Sequence, residues 1–271
     1  MLRKFSNTRS VFFGRAGLIF FMAFLCSSYS GKQTVLIHSH NDYQKNIPFY
    51  RAYSQQVHTI EADIYAAPAS DGLLVAHDPH ELDSALSLDE MYLEPLIFLF
   101  GQNEGRPWRG SEQVLTLMID LKTPLHPTID RLIAKLKRHP EVFDPSVNPY
   151  AVRIVISGSR PDPEAFGEYP RFISFDGFID VDYPPQQLER VAFISEPFFR
   201  YSKWKGGADT LSAEDRQVIE SLVAKSHKTG KPIRFWGSPD TVNAWETFRE
   251  LGIDIINTDR PEACTLYFQE H

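Results

Sequence analysis

The sequence predicts a single α/β domain built as a closed (β/α)8 barrel of the TIM type, on three observations. Eight short apolar runs alternate with amphipathic stretches, the pattern of parallel strands joined by helices. They lie within residues 31–271, with no repeat, low-complexity tract or linker to divide them, and a chain of that length suits one barrel. Imidazoles and carboxylates close the first of these runs, at the strand ends where α/β folds assemble ligand sites.

Residues 1–30 read as a signal peptide outside the fold. Arg3, Lys4, Arg9 and Arg15 form a basic stretch without an acid, and residues 16–26 are an apolar run too short for a comfortable membrane span. Ser28-Tyr29-Ser30 offers a small-x-small cleavage pattern before Gly31. Cys26 would allow a lipoprotein, but bulky Leu25 before it argues against a lipobox, and an uncleaved anchor is the remaining alternative. Export to a periplasmic or extracellular space is the expectation.

The barrel strands are expected at 35–40, 59–65, 115–121, 152–157, 175–179, 191–194, 233–237 and 253–257. The first runs through Val35-Leu36-Ile37 into His38-Ser39-His40-Asn41-Asp42, and a helix follows at 48–56. The second ends on Glu61-Ala62-Asp63. Asp71-Gly72 is a hairpin-type turn, so 73–77 should pair back onto the second strand and bring up Ala76-His77-Asp78. Residues 82–112 lack a clear period and are expected to form an irregular excursion at the barrel mouth. Helices at 127–138, 185–190, 212–229 and 240–251 fill later gaps. Ser212 with Asp215 starts one of them in capping-box fashion, and Gly230 and Gly252 end the last two.

The chain holds 28 basic and 35 acidic residues, a net charge of −7. Four of the bases and none of the acids precede Gly31, so residues 31–271 carry −11. So acidic a surface repels a phosphate backbone and argues against a nucleic-acid partner. Any phosphate must be held by a metal or by a local basic cluster. Past the leader only Cys264 remains, which excludes an intrachain disulfide there. A chain this long builds a sufficient core without one.

Glu61 and Asp63 are two apart in an extended run, so both side chains leave the same face. Two carboxylates so placed repel unless a cation lies between them. Leu117-Met118-Ile119-Asp120-Leu121-Lys122 adds a third acid at a neighbouring strand end, with Lys122 on the same face. Three such acids suit a hard cation, Mg²⁺ or Ca²⁺. The alternative is a buried ion-pair cluster, Asp120 with Lys122 and Glu61 with an arginine. His40 and His77 end runs that flank the carboxylates, and such a pair serves as general acid and base across a scissile bond. His38 shares parity with His40 but lies deeper, a supporting or packing place.

Asp78 either orients an imidazole or caps the turn at Pro79, and Asn41 either donates to a substrate oxygen or makes a local turn. Lys122, Arg153 and Arg234 are the candidate cations for a phosphoryl group. Trp236 shares a face with Arg234 and is the candidate stacking surface for a headgroup. Arg160 lies beyond a strand end, Asn257 ends the last strand, and Asp259-Arg260 reads as a local pair that closes the barrel.

In order, His40-Asn41, Glu61-x-Asp63, His77-Asp78 and Asp120-x-Lys122 resemble the phospholipase C-like phosphodiesterase superfamily, in the branch whose first motif reads His40-Asn41-Asp42-Tyr43. Trp236 and Asn257-Thr258-Asp259-Arg260-Pro261 also match, so the likeness spans nearly all of 31–271. It implies a β/α barrel, a divalent cation on Glu61, Asp63 and Asp120, His40 and His77 as the acid–base pair, and Lys122 on a phosphate oxygen. Asn41 stands where glycerophosphodiester enzymes carry Arg, and Asp120 where they carry Glu. Asp120-Leu121-Lys122 is more similar to the phospholipase D toxins.

The expected activity is that of an exported phosphoric diester hydrolase acting on a phospholipid headgroup or a glycerophosphodiester-like molecule. The expected partner is a small-molecule or lipid phosphodiester, with room for membrane-surface contact; the oligomeric state is open. Two other readings use the same residues. His38-x-His40 resembles the first metal motif of barrel amidohydrolases and histidinol-phosphatase-like hydrolases, which need further histidines at later strand ends. A barrel that binds a phosphorylated headgroup without turnover is the other.

Overall fold

The computed structural model describes residues 35–82 and 87–271; the leader read at 1–30, with Cys26 and its cleavage pattern, lies outside them. Among the described residues there are nine strands: β1 (Leu36–Ser39), β2 (Thr59–Ala66), β3 (Leu73–Val75), β4 (Thr116–Leu121), β5 (Arg153–Gly158), β6 (Ile173–Gly177), β7 (Val191–Pro197), β8 (Ile233–Trp236) and β9 (Ile255–Thr258). Eight pair in parallel around a ring in the order β1-β2-β4-β5-β6-β7-β8-β9, and β1 closes it by pairing with both β2 and β9. β3 stands outside the ring, antiparallel to the end of β2, with Val75 opposite Ile64. This is a (β/α)8 barrel with one added hairpin strand.

The helices are α1 (Tyr50–Ser54), α2 (Glu94–Gln102), α3 (Leu125–Leu136), α4 (Pro140–Phe143), α5 (Pro185–Leu188), α6 (Ala213–Lys228), α7 (Val242–Glu250) and α8 (Pro261–Glu270). Ser212 Oγ accepts from the Asp215 amide at 3.0 Å to start α6, and Thr241 Oγ1 accepts from Ala244 at 3.2 Å to start α7. Both caps satisfy donors that the first helical turn leaves unpaired.

Strand parity explains the interior. One set of side chains, among them Ile60, Ile64, Leu117, Ile119, Ile154, Ile156, Phe175, Ile233 and Phe235, joins the main apolar core with helix residues such as Ile129, Leu132, Ile219, Trp245 and Phe248. The opposite parity faces into the barrel. Met118, Val155, Phe193 and Ile255 make a second, smaller apolar cluster there. Two residues further along the same strands come Asp120, Ser157, Ser195 and Asn257. The bore therefore changes from apolar floor to polar mouth in one step along each strand.

Two expectations need correction. The segment at 82–112 is not an irregular excursion over the mouth: a π-helical turn at Asp89–Leu93 runs into α2, and Tyr92, Leu93, Leu96 and Phe100 are buried in the main core. The apolar period escapes notice because the π turn adds a residue to the spacing. The fifth barrel strand, β6, begins and ends two residues earlier than expected, and the Ile179 amide leaves the ladder to donate to Glu196 Oε1 at 2.9 Å. After β9, α8 begins at Pro261 and buries Cys264.

Candidate active site at the barrel mouth

The first barrel strand delivers His38 and, one residue past its end, His40. β2 delivers Glu61 and Asp63, and the register sets Asp63 beside Asp120 of β4, itself beside Ser157 of β5. Glu61, Asp63 and Asp120 each bring a carboxylate oxygen within 4.8 Å of the others. They line a cavity of about 340 Å³ at the C-terminal mouth, together with His40, Asn41, His77, Lys122, Arg234 and Trp236.

Basic groups already touch the carboxylates. Lys122 Nζ lies 2.9 Å from Asp63 Oδ2 and 3.4 Å from Asp120 Oδ1. Arg234 Nη1 donates to Glu61 Oε2 at 2.9 Å, and Ser157 Oγ donates to Asp120 Oδ2 at 3.1 Å. These are the pairs of the ion-pair alternative, yet they offset only two of three negative charges. Asp63 Oδ1 is buried without a hydrogen-bond partner. Burial, and then the Glu61 charge, raise the Asp63 carboxyl above its ordinary range despite Lys122. Burial would raise Glu61 too, but Arg234 and His38 hold it well below the usual carboxylate range. Both contacts fall on Oε2. An all-oxygen set with an orphaned carboxylate oxygen and one uncompensated charge fits a hard divalent cation.

The two histidines are reached from β1 and β3, which pair with the same edge of β2, and they have different partners. His40 Nδ1 lies 3.1 Å from Asp259 Oδ1. Burial would lower His40, but the Asp259 hydrogen bond and the Glu61 charge outweigh it and raise it above its ordinary value. His77 Nδ1 lies 3.0 Å from the Tyr43 hydroxyl, which itself donates to Asp63 Oδ2 at 2.7 Å and sits 3.0 Å from Asn41 Oδ1. Asn41 has φ 48°, a left-handed conformation that asparagine tolerates better than most residues. Asp42 is turned away: its carboxylate receives the Ser39 hydroxyl, the Phe49 amide and the Tyr92 hydroxyl at 3.0, 2.6 and 3.0 Å, fixing the loop that carries His40 to the wall.

His38 is wholly buried behind Glu61, its Nε2 2.6 Å from both Glu61 Oε2 and Arg234 Nη1. Burial and then Arg234 push it down to about 3, so it is neutral near pH 7. A nitrogen that donates to Glu61 cannot also accept from Arg234, so only one of these contacts is a hydrogen bond at a time. Of the nine histidines only His40 and His77 line the mouth; further away, His126 meets Asp130, His139 meets Glu141 and His227 meets Asp254. The amidohydrolase-type reading loses its later ligands. Asp78 caps the short turn after His77, where Glu81 Oε2 receives the His77 and Asp78 amides.

Arg153 is at the wrong end. It opens β5, in register with Thr116 at the start of β4, whereas the site lies at Ser157 and Gly158. Four to five residues of strand span about 15 Å, beyond reach of the mouth. Arg234 is in place but engaged, donating through Nε to Ser195 as well as through Nη1 to Glu61. The cation that sequence reasoning undervalued is Arg160. Its guanidinium stacks 3.8 Å over Phe178, lies 4.0 Å from Asp176, and leaves Nη2 without a partner. Asp176 Oδ1 is orphaned as well, and burial pushes this carboxyl up to about 6 against the pull of Arg234 and Arg160. An acid inside the apolar run Phe175-Asp176-Gly177 was the available signal. Tyr43 was visible only as part of its motif, and Asp259 only as a local pair.

Residues 29–143 match the model of the AIM6-like phosphodiesterase domain. The chain is 34% identical to the Altered inheritance of mitochondria protein 6 of Kluyveromyces lactis over 294 residues, covering 82% of this chain and 70% of that protein. The protein of that name from Eremothecium gossypii is 24% identical over 273 residues, covering 85% and 69%. Among solved structures, a glycerophosphodiester phosphodiesterase from Parabacteroides distasonis shares the fold with a TM-score of 0.54 at 17% identity, over 89% of this chain and 99% of that one. A putative glycerophosphoryl diester phosphodiesterase from Silicibacter pomeroyi does so with a TM-score of 0.50 at 14% identity, over 88% and 95%.

Proposed function

Because the chain belongs to the AIM6-like phosphodiesterase family, within the phospholipase C-like phosphodiesterases, we propose that it is an exported phosphoric diester hydrolase that uses a divalent cation and two histidines. The observation that carries this reading is Asp63: buried, one oxygen orphaned, between two further carboxylates and two imidazoles. Glu61, Asp63 and Asp120 would hold Mg²⁺ or Ca²⁺, whose charge would offset that on the phosphoryl oxygens.

The histidines divide the proton work by their neighbours. His40 gives its Nδ1 proton to Asp259 and is raised, so its Nε2 carries a proton for the leaving oxygen. Tyr43 gives its own proton to Asp63, so its oxygen accepts from His77 Nδ1 and leaves His77 Nε2 as a base for the incoming hydroxyl. Lys122 has a third donor beyond those facing Asp63 and Asp120 and can hold a phosphate oxygen. Trp236 and Asn41 line the space for the headgroup. The cavity admits a phospholipid headgroup or a glycerophosphodiester-like molecule.

A panel of phosphodiesters tests the reading. Turnover should vanish in excess chelator and return with Mg²⁺ or Ca²⁺, and Asp63→Asn should weaken cation affinity sharply. Full turnover under chelation would remove the cation. N-terminal sequencing of the native protein should find a start near Gly31; an intact Met1 in a cytosolic fraction would refute export.

A further inference from the structure

Three adjacent barrel strands end in exposed aromatic side chains. Phe178 follows β6, Phe199 stands two residues past β7, and Trp236 is the last residue of β8, with exposures of 49%, 62% and 38%. Parallel neighbours place all three on one rim of the mouth. Phe178 and Trp236 line the cavity itself, and the Phe199 and Trp236 rings meet edge to face at 5.3 Å.

The charge on this rim runs against the charge of the chain. Residues 197–207 hold Arg200, Lys203 and Lys205 and no acid, in a protein with a net charge of −7. Arg200 is partly spent on buried Glu196 at 3.6 Å. Lys203 and Lys205 are exposed and form no ion pair among the described residues. Asp180 on the β6 loop is offset by Lys225 at 3.5 Å. The loops are held in place from below: Glu196 accepts from the Ile179 amide at 2.9 Å and from the Tyr201 hydroxyl at 2.6 Å, so one carboxylate fixes both the Phe178 and the Phe199 turns. Beside Phe199 a groove of about 230 Å³ is lined by Trp204, Lys205 and Gly237.

We infer that this rim docks on an anionic lipid surface, with Phe199 and Trp236 entering the headgroup region and Lys203 and Lys205 meeting acidic headgroups. Aromatic rings and lysines side by side are what a membrane–water boundary favours, and an acidic protein needs such a patch to approach an anionic bilayer at all. The docking would turn the cavity mouth onto the membrane. In that respect it rests on the proposed hydrolase, but its test reads binding alone.

The full chain is mixed with phosphatidylcholine vesicles, with and without phosphatidylglycerol, carrying brominated acyl chains. Tryptophan fluorescence is followed with sedimentation. All four tryptophans lie between Trp108 and Trp245, so quenching reports on the barrel and not on the leader. Trp108 and Trp245 are buried, which leaves exposed Trp236 and half-buried Trp204, beside the two lysines, as the reporters. Quenching should require phosphatidylglycerol, weaken with salt, and fall in Trp236→Phe to what Trp204 contributes, while sedimentation persists. Lys203→Glu with Lys205→Glu should weaken binding by about 25-fold or more, each lysine counting for about fivefold. Phe199→Ser should weaken it further, and Phe98→Ser, on the outer wall, should not. Sedimentation without quenching would mean that the leader alone binds and would overturn the inference. So would absence of binding, quenching indifferent to lipid charge, or an equal loss in Phe98→Ser. Both lysines are exposed, so their reversal keeps the test valid even if Phe199→Ser fails to fold. A chain that docks but hydrolyses nothing would retain this surface and lose the hydrolase.

Discussion

Replacing Gly158 by alanine probes the carboxylate cluster through the backbone, without altering a charge. Gly158 ends β5 with φ +69°, and a Cβ there would lie 2.4 Å from Asp120 Oδ1 and 2.5 Å from the Leu121 carbonyl oxygen. The left-handed conformation costs a non-glycine residue about 1–2 kcal/mol. Relieving two contacts nearly 1 Å inside ordinary separation adds about 1–3 kcal/mol, for a total of about 3 kcal/mol. In a domain of this size that lowers Tm by about 6–12 °C. The Leu121 oxygen is backbone and yields little, so the Asp120 carboxylate is the group that moves. Its departure from Glu61 and Asp63 should weaken Mg²⁺ or Ca²⁺ binding by about 10–100-fold, the range seen when a ligand loses its orientation. Scanning calorimetry and isothermal titration of the cation read the two effects separately. A wild-type Tm would refute the packing argument. A lowered Tm with unchanged cation affinity would keep the packing and remove Asp120 from the cation site.

The acid–base pair yields two further expectations. Asp259→Asn removes the charge that raises His40, so burial lowers it and the alkaline limb of the pH–rate profile moves to lower pH. The loss should be about fivefold above that limb, from a half-exposed charge pair worth about 1 kcal/mol, and should vanish in acid; a parallel drop at every pH would deny Asp259 this role. His40→Ala and His77→Ala should each cost about 10²–10⁴-fold in turnover with cation affinity intact. On a nitrophenyl phosphodiester, whose leaving group needs no proton, His40→Ala should recover and His77→Ala should not; the reverse pattern would exchange the roles.

The barrel was legible because both of its faces leave a trace in the chain. Outward side chains make the apolar runs, and the acids, imidazoles and Arg234 interrupting them share the inward parity. Glu61, Asp63 and Asp120 could be grouped because neighbouring strand ends converge whatever their exact register. Arg153 was misplaced for the same reason in reverse: its strand was found, but its position at the start of that strand was not weighed. Arg160 and Asp176 stayed obscure because their importance lies in missing partners: an acid inside an apolar run was a signal for Asp176, but the unmet hydrogen bonds themselves leave none. The helix at Glu94–Gln102 was hidden by the π turn ahead of it, which breaks the 3.6-residue period on which such a reading depends.

The contact between His40 and Asp259 joins positions 219 residues apart, and β1, which carries His40, completes its pairing only when β9 arrives. During synthesis the first strand emerges long before the last. A nascent chain therefore holds the three carboxylates of β2 and β4 while His40 still lacks its Asp259 partner. The contact between His40 and Asp259 forms only with the closing of the ring, a pairing of high sequence separation.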